Sequence, residues 1–200
     1  IPGSLVGSEM CIRDSYIVYP SNASDAKGLL KMACRMNDPV LFMEHKGLYR
    51  QGYAATDEPD SDYIIPFGKG RVVSNGNYLT LVTWGAMVQK SVEAVQELLL
   101  EENIVEIIDL RTLNPIDFDI LEVSINKTGK VLIVHEDNLT NGPGAEISAM
   151  ISEQFFEHLD GPIKRVAAKD SPIPFNWVIE EKILPQTKDI SNAIEELLEY

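Results

Sequence analysis

Hydrophobic positions along the chain alternate between short unbroken runs and stretches at helical spacing. Residues 16–19 form a β-branched and aromatic run, Pro20 and Ser21 punctuate it, and 23–35 carries apolar residues at the 3.6 period of a helix. Asp38-Pro39 ends that helix, and the apolar run 40–43 predicts a strand buried on both faces, the habit of parallel sheets. From 44 to 70 no period persists, and the acidic, proline-containing stretch Thr56 to Asp62 reads as a linker leaving one domain for another.

The second half repeats the pattern more regularly. Strands are predicted at 79–84, 105–108, 131–134 and 163–167, and helices at 86–101, 116–125, 145–158 and 189–198. Strands alternating with helices through short loops predict an α/β fold, a three-layer and mostly parallel sheet with right-handed crossovers. We therefore expect an end piece of one α/β domain over 16–55, a linker over 56–70 and a complete domain over 71–200. Residues 1–15 (IPGSLVGSEMCIRDS) follow no period and read as a foreign lead-in. About 130 residues suffice to bury a core, whereas the first block is too short and reads as the end of a larger domain that begins upstream.

Composition narrows the function classes. Of 200 residues 44% are hydrophobic and 24% charged, which excludes disordered and fibrous classes. A net charge of −14 repels phosphate backbones and anionic lipid, so neither nucleic acid nor a membrane surface is an expected partner; a basic partner face is. No apolar run reaches the roughly 20 residues that span a bilayer. Cys11 and Cys34 are too few for a disulfide framework and lack the paired spacing of a metal or redox site, which points to a reducing compartment.

Candidate chemistry is sparse. Gly142-Pro143-Gly144 follows a strand and opens a helix, where a phosphate could sit on free N–H groups, but Ile147 stands where the next glycine of the dinucleotide fingerprint belongs and Pro143 removes a donor. The alternative is a tight strand-to-helix turn. His135-Glu136-Asp137, just past the third strand of the second half, offers a general base or metal ligand, or else a structural histidine. His45, beside Glu44, has the same two readings, and His158 at a helix end is explained by the dipole. The acidic last helix, with Asp189, Glu195, Glu196 and Glu199, is either a solvated face or a docking surface.

Several segments together carry a resemblance. Pro20-Ser-Asn-Ala-Ser-Asp-Ala-Lys-Gly-Leu-Leu30, Asp38-Pro-Val-Leu-Phe-Met-Glu-His-Lys-Gly-Leu-Tyr-Arg50, Ile107-Ile-Asp-Leu-Arg-Thr-Leu-Asn-Pro115, Lys127-Thr-Gly129, His135-Glu136, Gly144-Ala-Glu-Ile147, Pro172-Ile-Pro174 and Leu184-Pro185 occur in family order. From Tyr16 to Tyr200 the chain resembles the beta chain of thiamine-diphosphate-dependent 2-oxo acid dehydrogenases, with a lean toward the branched-chain type and toward fused alpha and beta regions. The resemblance implies the end of a pyrimidine-binding domain followed by a transketolase carboxyl-terminal domain. It also implies a parent enzyme that decarboxylates a branched-chain 2-oxo acid (2-oxoisovalerate) or pyruvate on thiamine diphosphate and magnesium and passes the acyl group to a lipoyl arm. The activating glutamate and catalytic histidine would lie upstream and the pyrophosphate and magnesium ligands in the alpha region, so no catalytic or thiamine-binding residue is expected in this chain. Implied partners are the alpha chain or region, a second beta chain and the lipoyl acyltransferase's subunit-binding domain, in bacterial cytoplasm or, in a eukaryote, the mitochondrial matrix.

Two family sites carry over by residue. A potassium site would use the Ala33 carbonyl and Asp38, though Met36 replaces its first carboxylate. A docking site for the basic subunit-binding domain corresponds to Asp160, in Leu159-Asp160-Gly161-Pro162, and to the carboxylate of Tyr200. Rival readings are a noncatalytic docking domain, or the same domain in acetoin dehydrogenase or transketolase.

Overall fold

The structure is a computed structural model and describes residues 15–99 and 103–200; most of the lead-in reading, Cys11 included, lies outside them. By their contacts the described residues divide into two compact units, one of those up to Gly70 with Leu110–Asp117, the other of those from Arg71 to Asp109 with Phe118–Tyr200.

In the first unit strand β1 (Tyr16–Val18) leads into helix α1 (Ala23–Ala33), followed by strand β2 (Val40–Phe42). β2 pairs parallel to β1, in register from Tyr16 with Val40 to Val18 with Phe42. Asn22 caps α1 by accepting the Asp25 amide at 2.9 Å and donating to the Asp25 carboxylate at 2.8 Å. Val18, Leu29 and Ile65 form the core, with Val40, Phe42, Tyr63 and Phe67 packed on it. The 56–70 stretch, read from sequence as a linker, thus contributes three side chains to this core. A Cβ on Gly28 would stand 2.7 Å from Ile65 and 2.9 Å from Tyr63, so the segment packs against helix backbone only because that residue is glycine. The strand at 40–43 is not buried on both faces: β2 is an edge strand and Leu41 is 46% exposed, since nothing among the described residues covers that face.

The sequence placed 110–117 in the second domain, but this segment belongs to the first unit. Its strand β6 (Thr112–Asn114) pairs antiparallel to β1. Arg111 adopts a left-handed backbone, φ 59°, an uncommon choice for a residue with a Cβ. Its guanidinium donates to Asp25 at 2.7 Å, its carbonyl accepts the Tyr19 amide at 2.8 Å, and the Asp25 side chain is buried.

In the second unit five strands lie in the order β3 (Arg71–Ser74), β5 (Val105–Asp109), β4 (Leu79–Thr83), β7 (Val131–Asn138) and β8 (Lys164–Ala168). All neighbours are parallel except β3 with β5, as an α/β sheet with one antiparallel edge. Every residue of β4 and β5 is buried, Glu106 and Asp109 included through their pairs with Lys127 and Arg71. Helices α2 (Met87–Glu97) and α6 (Thr187–Leu198) pack together on one face, and α3 (Phe118–Thr128) and α4 (Pro143–Phe155) on the other, giving three layers. A short helix α5 (Trp177–Glu180) lies between β8 and α6. Between α3 and the sheet, Thr80 bonds Ser124 at 2.6 Å and Thr128 at 2.7 Å, satisfying three buried hydroxyls.

Replacing Arg111 with Met removes the cation paired with the buried Asp25 carboxylate and is expected to destabilise the first unit by about 3–5 kcal/mol. Chemical denaturation should show that loss largely recovered when Asp25→Leu is added, a coupling that independent side chains would not give.

Candidate functional site

In open α/β sheets ligands gather at the carboxyl ends of strands where the strand order reverses. Here that point lies between β4 and β7, and it is filled. Trp84, just after β4, stacks on His135 of β7 with ring centroids 5.4 Å apart and planes 8° apart. Both are buried, and neither imidazole nitrogen has a hydrogen-bond partner. The Gly142-Pro143-Gly144 turn closes over the same ring. A Cβ on Gly144 would stand 2.3 Å from Nε2 of His135, and one on Gly142 2.1 Å from the Asn138 carbonyl and 3.0 Å from the imidazole. The glycines therefore admit an aromatic ring, and the turn does not fit a phosphate or the pyrophosphate of thiamine diphosphate.

Burial pushes His135 down to about 4, with the nearby Asp137 opposing and Arg165 adding to the shift. This imidazole is neutral at pH 7 and enclosed between Trp84 and the glycine turn. Glu136 is half-buried and Asp137 exposed. His45 lines a separate pocket of about 320 Å³ in the first unit, beside Phe42, Glu44 and Tyr49. There the Tyr49 hydroxyl donates to Glu44, a bond that raises the phenol above its usual value. His158 is exposed in a 3-10 turn.

At the amino ends of β7 and β8 three segments distant in sequence meet. Gly129, left-handed at φ 67°, precedes β7; a Cβ there would stand 2.1 Å from a carboxylate oxygen of Asp160. The Asp160 amide donates to the Gly129 carbonyl at 2.7 Å. Next in the chain, Gly161 turns its α-carbon toward Tyr200, so that an added Cβ would lie 3.6 Å from the tyrosine Cβ. Asp160 and Tyr200, paired by resemblance alone, are thus neighbours on one exposed surface. Lys164 is paired to Glu196, Lys127 to Glu106 at 2.5 Å, and Lys130, next to Gly129, donates to the Leu198 carbonyl at 3.5 Å.

At the proposed potassium position the Ala33 carbonyl accepts the Met36 amide at 3.1 Å and Asp38 is exposed. Among the described residues no group of three or more His, Cys, Asp or Glu is placed to hold a metal ion. No helix among the described residues is long and apolar enough to cross a membrane.

Sequence reasoning missed Trp84, Gly129 and Gly144 as partners of the residues it singled out. For Gly129 the signal was the glycine itself; Gly144 was read as part of a turn without the ring it admits, and nothing in the sequence pointed to Trp84.

Gly144→Ala is expected to cost about 1–3 kcal/mol through overpacking, and His135→Ala in the same chain to return part of that loss, measured by thermal melting. Because folding lowers the His135 pKa, the unfolded chain takes up the proton first as pH falls. Stability should therefore be full above about pH 6.5 and drop by about 3 kcal/mol by pH 4. His135→Phe, which keeps a ring and loses the proton site, should flatten that part of the pH profile.

Comparison with known proteins supplies the family. Residues 68–190 match the family described as transketolase, C-terminal domain. The chain is 42% identical over 184 residues to pyruvate dehydrogenase E1 component subunit beta of Staphylococcus epidermidis, and equally to that of Staphylococcus aureus. Each alignment takes in 92% of this chain and 56% of the relative, so the chain spans about half the length of the curated relatives it matches. A solved structure titled "Split gene transketolase, inactive beta4 tetramer" superposes with a TM-score of 0.74 at 24% identity, covering 93% of this chain and 58% of that one, a likeness of fold. With the family matched over more than half its length and the three-layer sheet in place, this chain belongs to the transketolase C-terminal domain family.

Proposed function

We propose that this chain is the carboxyl-terminal part of the beta chain, or beta region, of the decarboxylating component of a 2-oxo acid dehydrogenase complex. The observation that carries the reading is the 42% identity to pyruvate dehydrogenase beta subunits across 92% of the chain. The parent enzyme, an oxidoreductase, decarboxylates pyruvate or a branched-chain 2-oxo acid and transfers the acyl group to a lipoyl arm. Thiamine diphosphate with magnesium supplies that chemistry when bound, through residues upstream of this chain and in the alpha partner. A bacterial cytoplasm is the proposed setting.

Within that enzyme the chain's task is assembly and docking. The geometry in support is the convergence of Gly129, Asp160 and Tyr200, with the acidic α6 behind them. An exposed carboxylate held by its own backbone amide against Gly129 is a fixed negative charge, suited to charge-assisted bonds with Arg or Lys of a basic domain. The alpha chain and a second beta chain are the remaining proposed partners. Their contact surface is expected to use the apolar segment 172–179, where Phe175 and Trp177 stand exposed.

Two measurements test this. Calorimetric titration with thiamine diphosphate should give no binding to this chain alone, with activity restored only when the upstream region is supplied; tight binding by the chain itself would sink the reading. Asp160→Ala combined with removal of Tyr200 should weaken capture of a lipoyl acyltransferase's subunit-binding domain by about tenfold or more, most clearly at low salt. Unchanged affinity rejects the docking assignment.

A further inference from the structure

The second unit carries a groove of about 590 Å³ between edge strand β8 and the 181–189 stretch. Arg165, Lys169, Lys182 and Lys188 line it. In a chain with 17 basic residues and a net charge of −14, four cations around one concavity run against the composition. A fifth, Lys90, binds the carbonyl of Pro185, itself in the groove wall, at 2.8 Å.

Several basic side chains elsewhere are paired with acids, as Lys27 is with Glu58, Arg71 with Asp109, Arg111 with Asp25 and Lys127 with Glu106. Lys169, Lys182 and Lys188 form no ion pair among the described residues. Arg165 is anchored by its Nη1 donating to the Leu139 carbonyl at 2.7 Å, which fixes the guanidinium at the groove. Of the two acids in the lining, Asp189 is committed to the α6 capping box, where it accepts the Gln186 amide at 2.9 Å. Glu181 is solvent-exposed. That capping box engages the Gln186 and Asp189 N–H groups at the start of α6.

Leu139, Val166, Ile183 and Leu184 supply the apolar part of the lining, and the Gln186 side-chain amide is turned to the carbonyls of Glu181 and Leu184. Cations set among apolar side chains suit a ligand that is anionic at one end and apolar or aromatic at the other, and the volume is that of a small-molecule site. Lysine is a point-charge binder of phosphate. We propose that this groove binds a small phosphorylated ligand with an aromatic or apolar body, of the nucleoside diphosphate class. Its phosphates are drawn to the lysines, and its body covers Val166 and Leu184. The site is separate from the Asp160–Tyr200 surface and does not depend on the function proposed above.

Isothermal titration of the purified protein with ADP, with adenosine and with inorganic phosphate tests it. ADP should bind at a single site, and adenosine and phosphate each at least about tenfold more weakly. Affinity should fall as salt rises from about 50 to about 300 mM. The Lys182→Ala/Lys188→Ala double variant, changed only at exposed positions and checked for an unaltered melting temperature, should lose about tenfold or more in ADP affinity. Adenosine binding as well as ADP, or ADP binding unchanged in the double variant, overturns the proposal. So does an absence of ADP binding, which leaves the lysines as charges that guard a sheet edge.

Discussion

A buried ion pair, Arg111 with Asp25 at 2.7 Å, governs how the chain is shared between its two units. Asp25 sits in the first turn of α1, oriented by Asn22, and Arg111 reaches it from a left-handed backbone that is otherwise unfavourable for a residue with a Cβ. Once made, the pair assigns Leu110–Asp117 to the first unit and gives β1 its antiparallel neighbour β6. The chain leaves the parallel sheet at the end of β5, contributes a strand elsewhere and returns as α3. Neither unit is then a continuous stretch of sequence, and both must close long loops to form, a demand that slows folding relative to local packing.

In the parallel sheet, chemistry and position have come apart. The crevice where doubly wound folds hold nucleotides is filled by two stacked rings and a glycine turn, with a neutral imidazole in place of a ligand. The charged features lie elsewhere. Asp160 is set before the amino end of β8, and the lysine-lined groove runs along its free edge. The interior is thus inert and cohesive, and the perimeter carries the groups available to partners and ligands.

The sheet was legible in the sequence because β4, β5 and β7 are rich in aliphatic and β-branched residues, unbroken in β7 from Val131 to Val134. β3 and β6 escaped, being three or four residues long and lying at sheet edges, where half-exposed positions blur any period. The same blurring hid the packing of Tyr63, Ile65 and Phe67, which follow an acidic stretch that reads as linker. For the candidate sites, resemblance named Asp160 and Tyr200 while the residues gave no reason for the pair; Gly129 and Gly161 supply that reason only in three dimensions. His135 was visible as a functional candidate, but which way it faced was not, since Trp84 lies some fifty residues away in sequence.

The imidazole that fills the crevice also limits what descendants of this sequence can become. With the ring in place, neither Gly142 nor Gly144 can gain even a methyl group, and with both glycines in place no smaller residue at 135 leaves a lined pocket; it leaves a void beside Trp84. A path to a nucleotide site here would need ring, turn and proline altered together, each single step passing through a less stable protein. Drift at these positions is therefore confined, and novelty in this domain has to arise along its rim.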